Sequence, residues 1–291
     1  MHGVSSRIGA PQGGLIFLKG VLMGVCDIIP GVSGGTIALI TGIYERLISA
    51  IGSISMVPVT ALLRGRKDEA SEAITRIDPV FLGILLAGIG LGLLTMSRII
   101  LSLLQTYPAE TYAFFFGLII VSSVLIYYRI EQADAHIAAV WVGLGLAVGY
   151  GIGGLDQAAL GHSLPVLFLT GFIALCAMIL PGISGAYITL LMNQYEFLLA
   201  ALASFDLVPL IVYMAGGVAG LLSMSRVLNL MLRRYHTQSL AFLTGLMLGS
   251  TRMVYDQIVV AGGTVSGVWV SVAAGVLLIA LLELAIRRFT V

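Results

Sequence analysis

Two short motifs in distant parts of the chain carry groups suited to binding an anion. Each begins with Pro-Gly and opens a predicted helix, at residues 30–36 in the first motif and 181–185 in the second. Serine suits the N-cap position, and glycines leave backbone N–H groups accessible. Unpaired N–H groups at a helix N-terminus attract anions such as phosphate, so we assign ligand binding to these motifs. The candidate residues are Pro30, Gly31, Ser33, Gly34, Gly35 and Thr36, together with Pro181, Gly182, Ser184 and Gly185.

Three arginines within apolar segments are the second candidate group. A charge at membrane depth costs roughly 2.5–3.5 kcal/mol on insertion scales, so its presence indicates a function. We assign Arg98, Arg226 and Arg252 to substrate binding, because a guanidinium can bind a phosphate through two parallel hydrogen bonds. The alternative for Arg98 and Arg226 is that they only extend towards the nearest membrane interface.

Three acids in the apolar segments are predicted to be coupling or structural charges. Glu45 and Glu196 occupy corresponding positions of a repeat, and structural pairing is the expected role of both. Asp27 lies three residues before Pro30 and corresponds to Met178. An ionised carboxylate there would repel a phosphate, so protonation or pairing with an arginine would favour the loaded state. We therefore expect Asp27 to be a switch, with a static salt bridge as the alternative.

The composition places these residues in a membrane. Of 291 residues, 59% are hydrophobic and 10% are charged, and the mean hydropathy is +1.06. Soluble proteins carry about 25% charged residues. A net charge of +1 argues against a nucleic-acid partner. Cys26 and Cys176 lack metal-ligand spacing, so we predict buried thiols, no metal and no cofactor.

The apolar segments predict an all-α polytopic membrane protein that forms a single domain over residues 1–291. Two regions are interrupted by Pro-Gly, and each is predicted as a re-entrant hairpin of two short helices, because proline disfavours helix in the residue before it. These hairpins are 14–29 with 32–51, and 164–180 with 183–203. Six other segments approach or exceed the ~20 residues that cross a bilayer. They are 79–104, 109–128, 137–155, 206–230, 238–258 and 266–286. The N-terminal segment is interpreted as part of the mature protein and not as a cleaved signal peptide.

An internal duplication organises the chain. Residues 30–47 match 181–198 without a gap at an offset of 151, and nine of these eighteen positions are identical. Further on the offset is 128, which places an insertion in a charged loop at about 53–77. The predicted repeats are 14–155 and 164–288, each with a hairpin and three transmembrane helices. One Pro-Gly motif alone would indicate a tight turn, whereas two repeated copies favour a binding site.

Positive charge predicts that the two halves are inverted. If each hairpin returns to the side it entered, ten basic residues outside the membrane share one face. They are Arg7, Arg64, Arg66, Lys67, Arg76, Arg129, Arg233, Arg234, Arg287 and Arg288. That face, with both termini, is then cytoplasmic. Inverted repeats with broken helices are typical of transporters that bind near the membrane midplane.

One enzymatic interpretation can be set aside. Residues 31–35 fit the Gly-x-Ser-x-Gly pattern of hydrolases, and an intramembrane serine protease could use such a segment. A serine nucleophile requires a nearby base, and the histidines fall in predicted loops or termini. They are His2, His136, His162 and His236. We therefore predict that the protein is not an enzyme.

The motifs resemble those of the PopT-type polyprenyl-phosphate translocases over nearly the whole chain. The resemblance rests on Gly24-x-x-Asp27-x-x-Pro30-Gly31-Val32-Ser33-Gly34-Gly35-Thr36, on Gly42-Ile43-Tyr44-Glu45, on 181–185 and on Gly249-Ser250-x-Arg252. It implies that the protein recycles undecaprenyl phosphate, the lipid carrier of cell-wall glycan assembly, from the outer to the cytoplasmic leaflet of the inner (plasma) membrane. A phosphate cannot cross hydrocarbon unaided, whereas a polyprenyl tail can stay in the lipid.

The residues alone leave a second function open. A transporter or channel for small soluble anions could use the same helix ends. An apolar lateral opening would favour the lipid substrate, and a continuous aqueous pore would favour the small anion. The expected partners are the polyprenyl phosphate lipid and the bilayer, and the sequence leaves open whether the protein forms a homodimer.

Overall fold

The computed structural model describes residues 10–27, 33–55, 57–128, 130 and 135–289, and these are helical with short connections. The predicted ligand residues Pro30 and Gly31 lie outside the described residues. The helices are α1 (Ala10–Asp27), α2 (Gly34–Ile40), α3 (Tyr44–Gly52), α4 (Val57–Leu63), α5 (Lys67–Ile77), α6 (Pro79–Thr106), α7 (Pro108–Tyr128), α8 (Ala135–Gly153), α9 (Leu164–Met178), α10 (Gly185–Leu191), α11 (Tyr195–Ala203), α12 (Leu207–Arg234), α13 (His236–Ala261) and α14 (Val265–Phe289).

Several of these helices are suited to a membrane. Four described stretches are long and apolar enough to cross one, and α9 and the 265–281 part of α14 are shorter apolar helices. The four stretches are 67–106, 108–128, 136–153 and 207–234. The all-helical prediction is therefore confirmed for the described residues, and the apolar helices are compatible with a polytopic membrane protein.

The helix bounds follow the two sequence offsets. The helices α2 and α10 have seven residues each and start at 34 and 185, which differ by 151. The helices α3 and α11 have nine residues each at the same offset. The helices α6 and α12 have 28 residues each and start at 79 and 207, which differ by 128. Corresponding parts of the duplicated sequence therefore fold into corresponding helices.

The second arm of each predicted hairpin is two helices and not one, which corrects the ranges 32–51 and 183–203. The additional turns lie at 41–43 and 192–194. Gly42 has φ +73° and its counterpart Asn193 has φ +59°. Glycine adopts this left-handed conformation without strain, and asparagine is among the few other residues that visit it routinely. The exchange of Gly for Asn therefore preserves the turn.

The charged insertion is also helical, although the sequence indicated a loop. It forms α4 and α5, which pack on each other. Charged pairs at one-turn spacing join Arg66 to Glu69 and Glu72 to Arg76 along α5. Asp68 and Glu69 in its first turn and Arg76 in its last turn also favour the helix dipole.

Close helix pairs build the body of the protein. The helix α1 packs on α6, and its counterpart α9 packs on α12. Likewise α8 packs on α13, α7 packs on α14, and α7 also contacts α13. A Cβ atom at Gly88 would overlap the carbonyl oxygen of Phe17, and one at Gly216 would overlap that of Phe168. Glycine at these contacts lets two backbones approach closely, as in many membrane helix pairs.

Candidate functional site

A cavity of about 370 Å³ lies beside Asp27, Ser33 and Ser184. We call the interval between Asp27 and Ser33 the first break, of which residues 28–32 lie outside the described residues, and residues 179–184 the second break. The polar end of the cavity is formed by Asp27, Ser33 and Ser184. The rest of the wall is mainly apolar and comes from α9, α10, α11 and α12. These residues are Leu175, Met178, Gly185, Ala186, Thr189, Tyr195, Leu198, Leu199, Leu202, Leu210, Tyr213 and Met214.

Both predicted N-caps are present at the polar end of this cavity. The Oγ of Ser33 accepts a hydrogen bond from Gly35 N at 3.1 Å, and Ser33 is the N-cap of α2. The Oγ of Ser184 accepts from Tyr187 N at 3.5 Å, and Ser184 is the N-cap of α10. The repeated serines therefore start corresponding helices.

Asp27 makes a contact that the sequence did not predict. Its Oδ1 accepts a hydrogen bond from Gly34 N at 2.6 Å. The carboxylate thus occupies one of the N–H groups that we expected to bind an external anion. In this conformation the first helix end is satisfied by the protein's own charge, through a backbone contact instead of the alternative salt bridge with an arginine.

The residues on either side of the two breaks contact each other directly. Gly182 N donates to Thr36 Oγ1 at 3.0 Å, and Ser33 Oγ donates to Met178 O at 3.3 Å. Gly182 has φ +89°, which favours glycine there. Thr36 is fully buried. These bonds bring the two motifs, 151 residues apart, into one site.

The three arginines that were predicted to bind the phosphate do not line the cavity, and their assignment stays a prediction. Arg98 is exposed on α6. Arg226 donates through Nη2 to Ile54 O at 2.7 Å and so binds the connection after α3. Arg252 donates through Nη1 to Tyr150 O at 3.2 Å and lies 4.2 Å from the centre of that tyrosine ring. The described cavity wall therefore contains no basic side chain.

The two repeated glutamates also lie away from the cavity. Glu45 Oε1 is 2.8 Å from Nε2 of His236, so its partner is a histidine instead of an arginine. Glu196 is exposed on α11. Arg46, on the same helix as Glu45, pairs with Asp78 at 2.6 Å. Among the described residues, neither glutamate forms an ion pair with Arg98, Arg226 or Arg252.

Sequence reasoning missed the tyrosines and threonine of the cavity wall. The hydroxyls of Thr189 and Tyr213 lie 2.8 Å apart within mainly apolar surroundings. Tyr195 lines the same cavity and is partly exposed. Uncharged polar residues in an apolar helix carry no spacing signal of their own. Tyr195 could have been singled out from the sequence, because it matches Tyr44 in the repeat.

The cavity continues into an apolar surface groove on α12. The groove is lined by Leu210, Ile211, Met214, Ala215 and Val218, and it shares Leu210 and Met214 with the cavity. The side chains of Ile211, Met214 and Val218 are exposed. The cavity therefore adjoins an exposed apolar surface of a helix that is long enough to cross a membrane.

The thiols and histidines give no alternative centre in the described part of the chain. Cys26 is buried as predicted, whereas Cys176 is only partly buried, and its Sγ donates to Gly220 O at 3.2 Å. No group of three His, Cys, Asp or Glu residues that could hold a metal occurs in the searched ranges. The described histidines do not line the cavity near Ser33.

The chain shares most of its length with known membrane transport proteins. Residues 23–266 match the model of a family described as undecaprenyl phosphate translocase-like. A polyprenyl-phosphate transporter of Vibrio cholerae is 42% identical over 240 residues, which cover 82% of this chain and 76% of that protein. A polyprenyl-phosphate transporter of Staphylococcus aureus is 29% identical over 257 residues, covering 82% of this chain and 84% of that protein. No solved structure gives a significant match.

Proposed function

The chain belongs to the undecaprenyl phosphate translocase-like family, and we propose that it carries undecaprenyl phosphate from the outer to the cytoplasmic leaflet of the inner (plasma) membrane. The lipid is thereby recycled for cell-wall glycan synthesis. The observation that carries this proposal is the cavity with a polar end beside the breaks and an apolar groove leading away along α12.

The shape of the site suits a lipid with one charged end. A phosphate needs hydrogen-bond donors before it can leave water, whereas a polyprenyl tail gains nothing by leaving the bilayer. The head group would lie at the end formed by Ser33, Ser184 and the start of α10. The tail would pass Leu199 and Leu202 and leave along the groove. A protein with this arrangement shelters only the head group.

The proposed topology places the opening of this site in the outer leaflet. The two halves are inverted, with α1–α3 entering from the cytoplasmic side and α9–α11 from the outer side. The basic residues Arg64, Arg66, Arg233 and Arg234 then share the cytoplasmic face. The turn 204–206, which joins α11 to α12, is outer. The cavity beside these helices is therefore open to incoming lipid.

The charged residues act before and after this loaded state. None of the three candidate arginines lines the cavity in this conformation. We therefore assign phosphate contacts at other depths of the transport path to Arg98, Arg226 and Arg252. Asp27 competes with the phosphate for Gly34 N. Protonating or displacing that carboxylate frees the N–H group, which couples loading to a rearrangement at the first break.

Translocation by the purified, full-length chain in proteoliposomes tests this function. Met214→Trp fills the groove, and Leu94→Trp adds the same ring to an exposed position on α6 as a matched control. We expect Met214→Trp to slow the inward movement of undecaprenyl phosphate at least tenfold, while Leu94→Trp retains the wild-type rate. The readout is the fraction of added lipid whose phosphate becomes protected from an external phosphatase.

Two results would contradict the proposal. The first is a wild-type protein that leaves the rate of lipid movement unchanged relative to empty vesicles. The second is transport of inorganic phosphate without movement of the lipid, which would indicate a small-anion carrier.

A further inference from the structure

The two halves of the duplicated sequence differ at one pair of tyrosines. Tyr44 is 1% exposed, and its hydroxyl donates to Ile179 O at the second break, 3.0 Å away. Tyr195 stands at the corresponding position (195 − 44 = 151), but it is 41% exposed and lines the cavity. The tyrosine of the first half is therefore buried and hydrogen-bonded to the second break, whereas the tyrosine of the second half lines the cavity.

The neighbours of these tyrosines show the same difference. Ile48 on α3 is 0% exposed, whereas its counterpart Leu199 on α11 is 49% exposed. The helix α3 packs extensively on α12. The corresponding contact, between α11 and α6, is not among the main contacts of the described helices. The space that forms the cavity in the second half is therefore filled by the protein's own side chains in the first half.

We propose that the first half contains a second cavity for the polyprenyl tail, closed in this conformation by Tyr44, and that Tyr44 and Tyr195 exchange roles during transport. This inference rests on the proposed function. The second cavity lies between α2, α3 and α6 and opens to the cytoplasmic leaflet. Its wall consists of the counterparts of residues that line the observed cavity: Tyr44, Leu47, Ile48, Ile51, Leu82 and Leu85.

The exchange has a simple physical basis. A carbonyl group at a break in a helix has no partner within that helix, so when buried it needs a donor from elsewhere. Ile179 O receives this donor from Tyr44. When Tyr44 withdraws from Ile179 O, the first cavity opens, and Tyr195 moves inwards to the position that corresponds to that of Tyr44.

The two cavities differ in a way that favours one direction of transport. The hydroxyl pair of Thr189 and Tyr213 corresponds to Ala38 and Leu85 (189 − 151 = 38; 213 − 128 = 85). The outer cavity therefore offers hydroxyl donors near the head group, and the inner cavity offers only apolar side chains at those positions. A phosphate is held less firmly on the cytoplasmic side, which promotes release there.

The test uses a photoactivatable polyprenyl phosphate, incorporated with the full-length protein into liposomes, with labelled peptides mapped by mass spectrometry. Tyr44→Phe removes the hydroxyl but keeps the ring volume, and Tyr195→Phe is the matched control. In the wild type we expect labelling of α11 and α12. Tyr44→Phe should increase labelling of α3 and α6 by about two- to tenfold, the effect of one hydrogen bond, and should decrease that of α11. Tyr195→Phe should produce no increase on α3.

Hydrogen exchange on the same variants without lipid gives a second measurement. Exchange of the amides in 44–52 should rise in Tyr44→Phe while exchange in 195–203 falls, because opening of one half closes the other. Faster exchange in 44–52 without added protection of 195–203 would indicate local loosening and overturn the inference. So would lipid labelling confined to the second half in every variant. Absence of competable labelling in the wild type would contradict the proposed function instead, and the exchange data would still decide whether the tyrosines alternate.

Discussion

At the residue scale, Asp27 connects the observed geometry to a testable role. Its carboxylate accepts a short hydrogen bond from Gly34 N, at the end of the cavity where the phosphate is proposed to bind. A negative charge in this position disfavours a second anion nearby. The same contact also caps α2, so the residue has a structural role that must be separated from any role in coupling.

Replacing Asp27 by Asn separates these two roles. Asparagine keeps a side-chain oxygen that can accept from Gly34 N, whereas alanine leaves this N–H group without that partner, at a cost of about 1–3 kcal/mol. We therefore expect Asp27→Asn to fold normally and to bind polyprenyl phosphate at least as tightly as the wild type, while transport loses its dependence on pH or the proton gradient. Asp27→Ala should lower the melting temperature. Binding measured by lipid competition, with transport at several pH values, checks this expectation.

The outcome that contradicts the switch is specific. If Asp27→Asn transports with the wild-type pH dependence, the carboxylate only holds the first break together. The same conclusion follows if Asp27→Asn unfolds as readily as Asp27→Ala.

The sequence predicted the capping serines, but not the residues that complete the cavity. The serines were predictable because local chemistry determines an N-cap, and both copies stand at the same place in the repeat. The bond between Thr189 and Tyr213 depends on how α10 packs against α12. The position of Arg252 over Tyr150 likewise depends on the pairing of α13 with α8. Neither contact follows from spacing along the chain.

At the element scale, the turn that splits the second arm of each broken segment is the main departure from expectation. Gly42 and Asn193 adopt left-handed φ values, and each separates two helices of fewer than ten residues. The surrounding apolar sequence hid this turn, because periodicity cannot mark a break of three residues. The long helices α6, α7 and α12 were predictable within a few residues, since each is apolar over a span's length.

The turn at Gly42 predicts a clear change in stability. A Cβ atom there would meet no neighbouring atom, so Gly42→Ala introduces only the backbone strain of φ +73°. That strain costs roughly 1–2 kcal/mol. Gly83 also has open space around it but lies within α6, where alanine is favoured over glycine by about 1 kcal/mol. We expect Gly42→Ala to lower and Gly83→Ala to raise the melting temperature in detergent.

Melting curves of the two variants test whether their melting temperatures shift in opposite directions. Equal shifts in the same direction for Gly42→Ala and Gly83→Ala would contradict the left-handed turn. An unchanged melting temperature for Gly42→Ala would do so as well.

At the scale of the whole molecule, the duplicated halves fold alike but do not pack alike. The pairs α1 with α6 and α9 with α12 correspond to each other, as do α8 with α13 and α7 with α14. The packing of α3 on α12 has no equally extensive counterpart for α11. A duplication in sequence predicts that the two halves fold into corresponding helices. How the corresponding helices pack depends on contacts between residues far apart in the chain, and no sequence pattern reports those contacts.

The proposed inverted orientation of the halves leads to a prediction about the side of the membrane on which two connections of different charge lie. Ser71 is exposed on α5, close to the basic residues Arg64, Arg66 and Arg76, so the positive-inside rule places it in the cytoplasm. Ala159 is exposed in the connection between α8 and α9, where residues 154–163 contain no Lys or Arg. An odd number of crossings between these two positions places Ala159 outside. Single cysteines at each position, in a chain with Cys26 and Cys176 replaced by alanine, report their side directly.

In intact cells, a membrane-impermeant maleimide should label Ala159→Cys at once and should label Ser71→Cys only after the membrane is permeabilised. The physical reason is that basic loops resist translocation across the membrane, so Ser71 remains on the cytoplasmic side together with the cluster around it. Labelling of both positions from the same side would mean an even number of crossings between them. The two broken segments would then enter from one side, and an apolar groove beside α11 and α12 could not serve the leaflet opposite to that of α3 and α6.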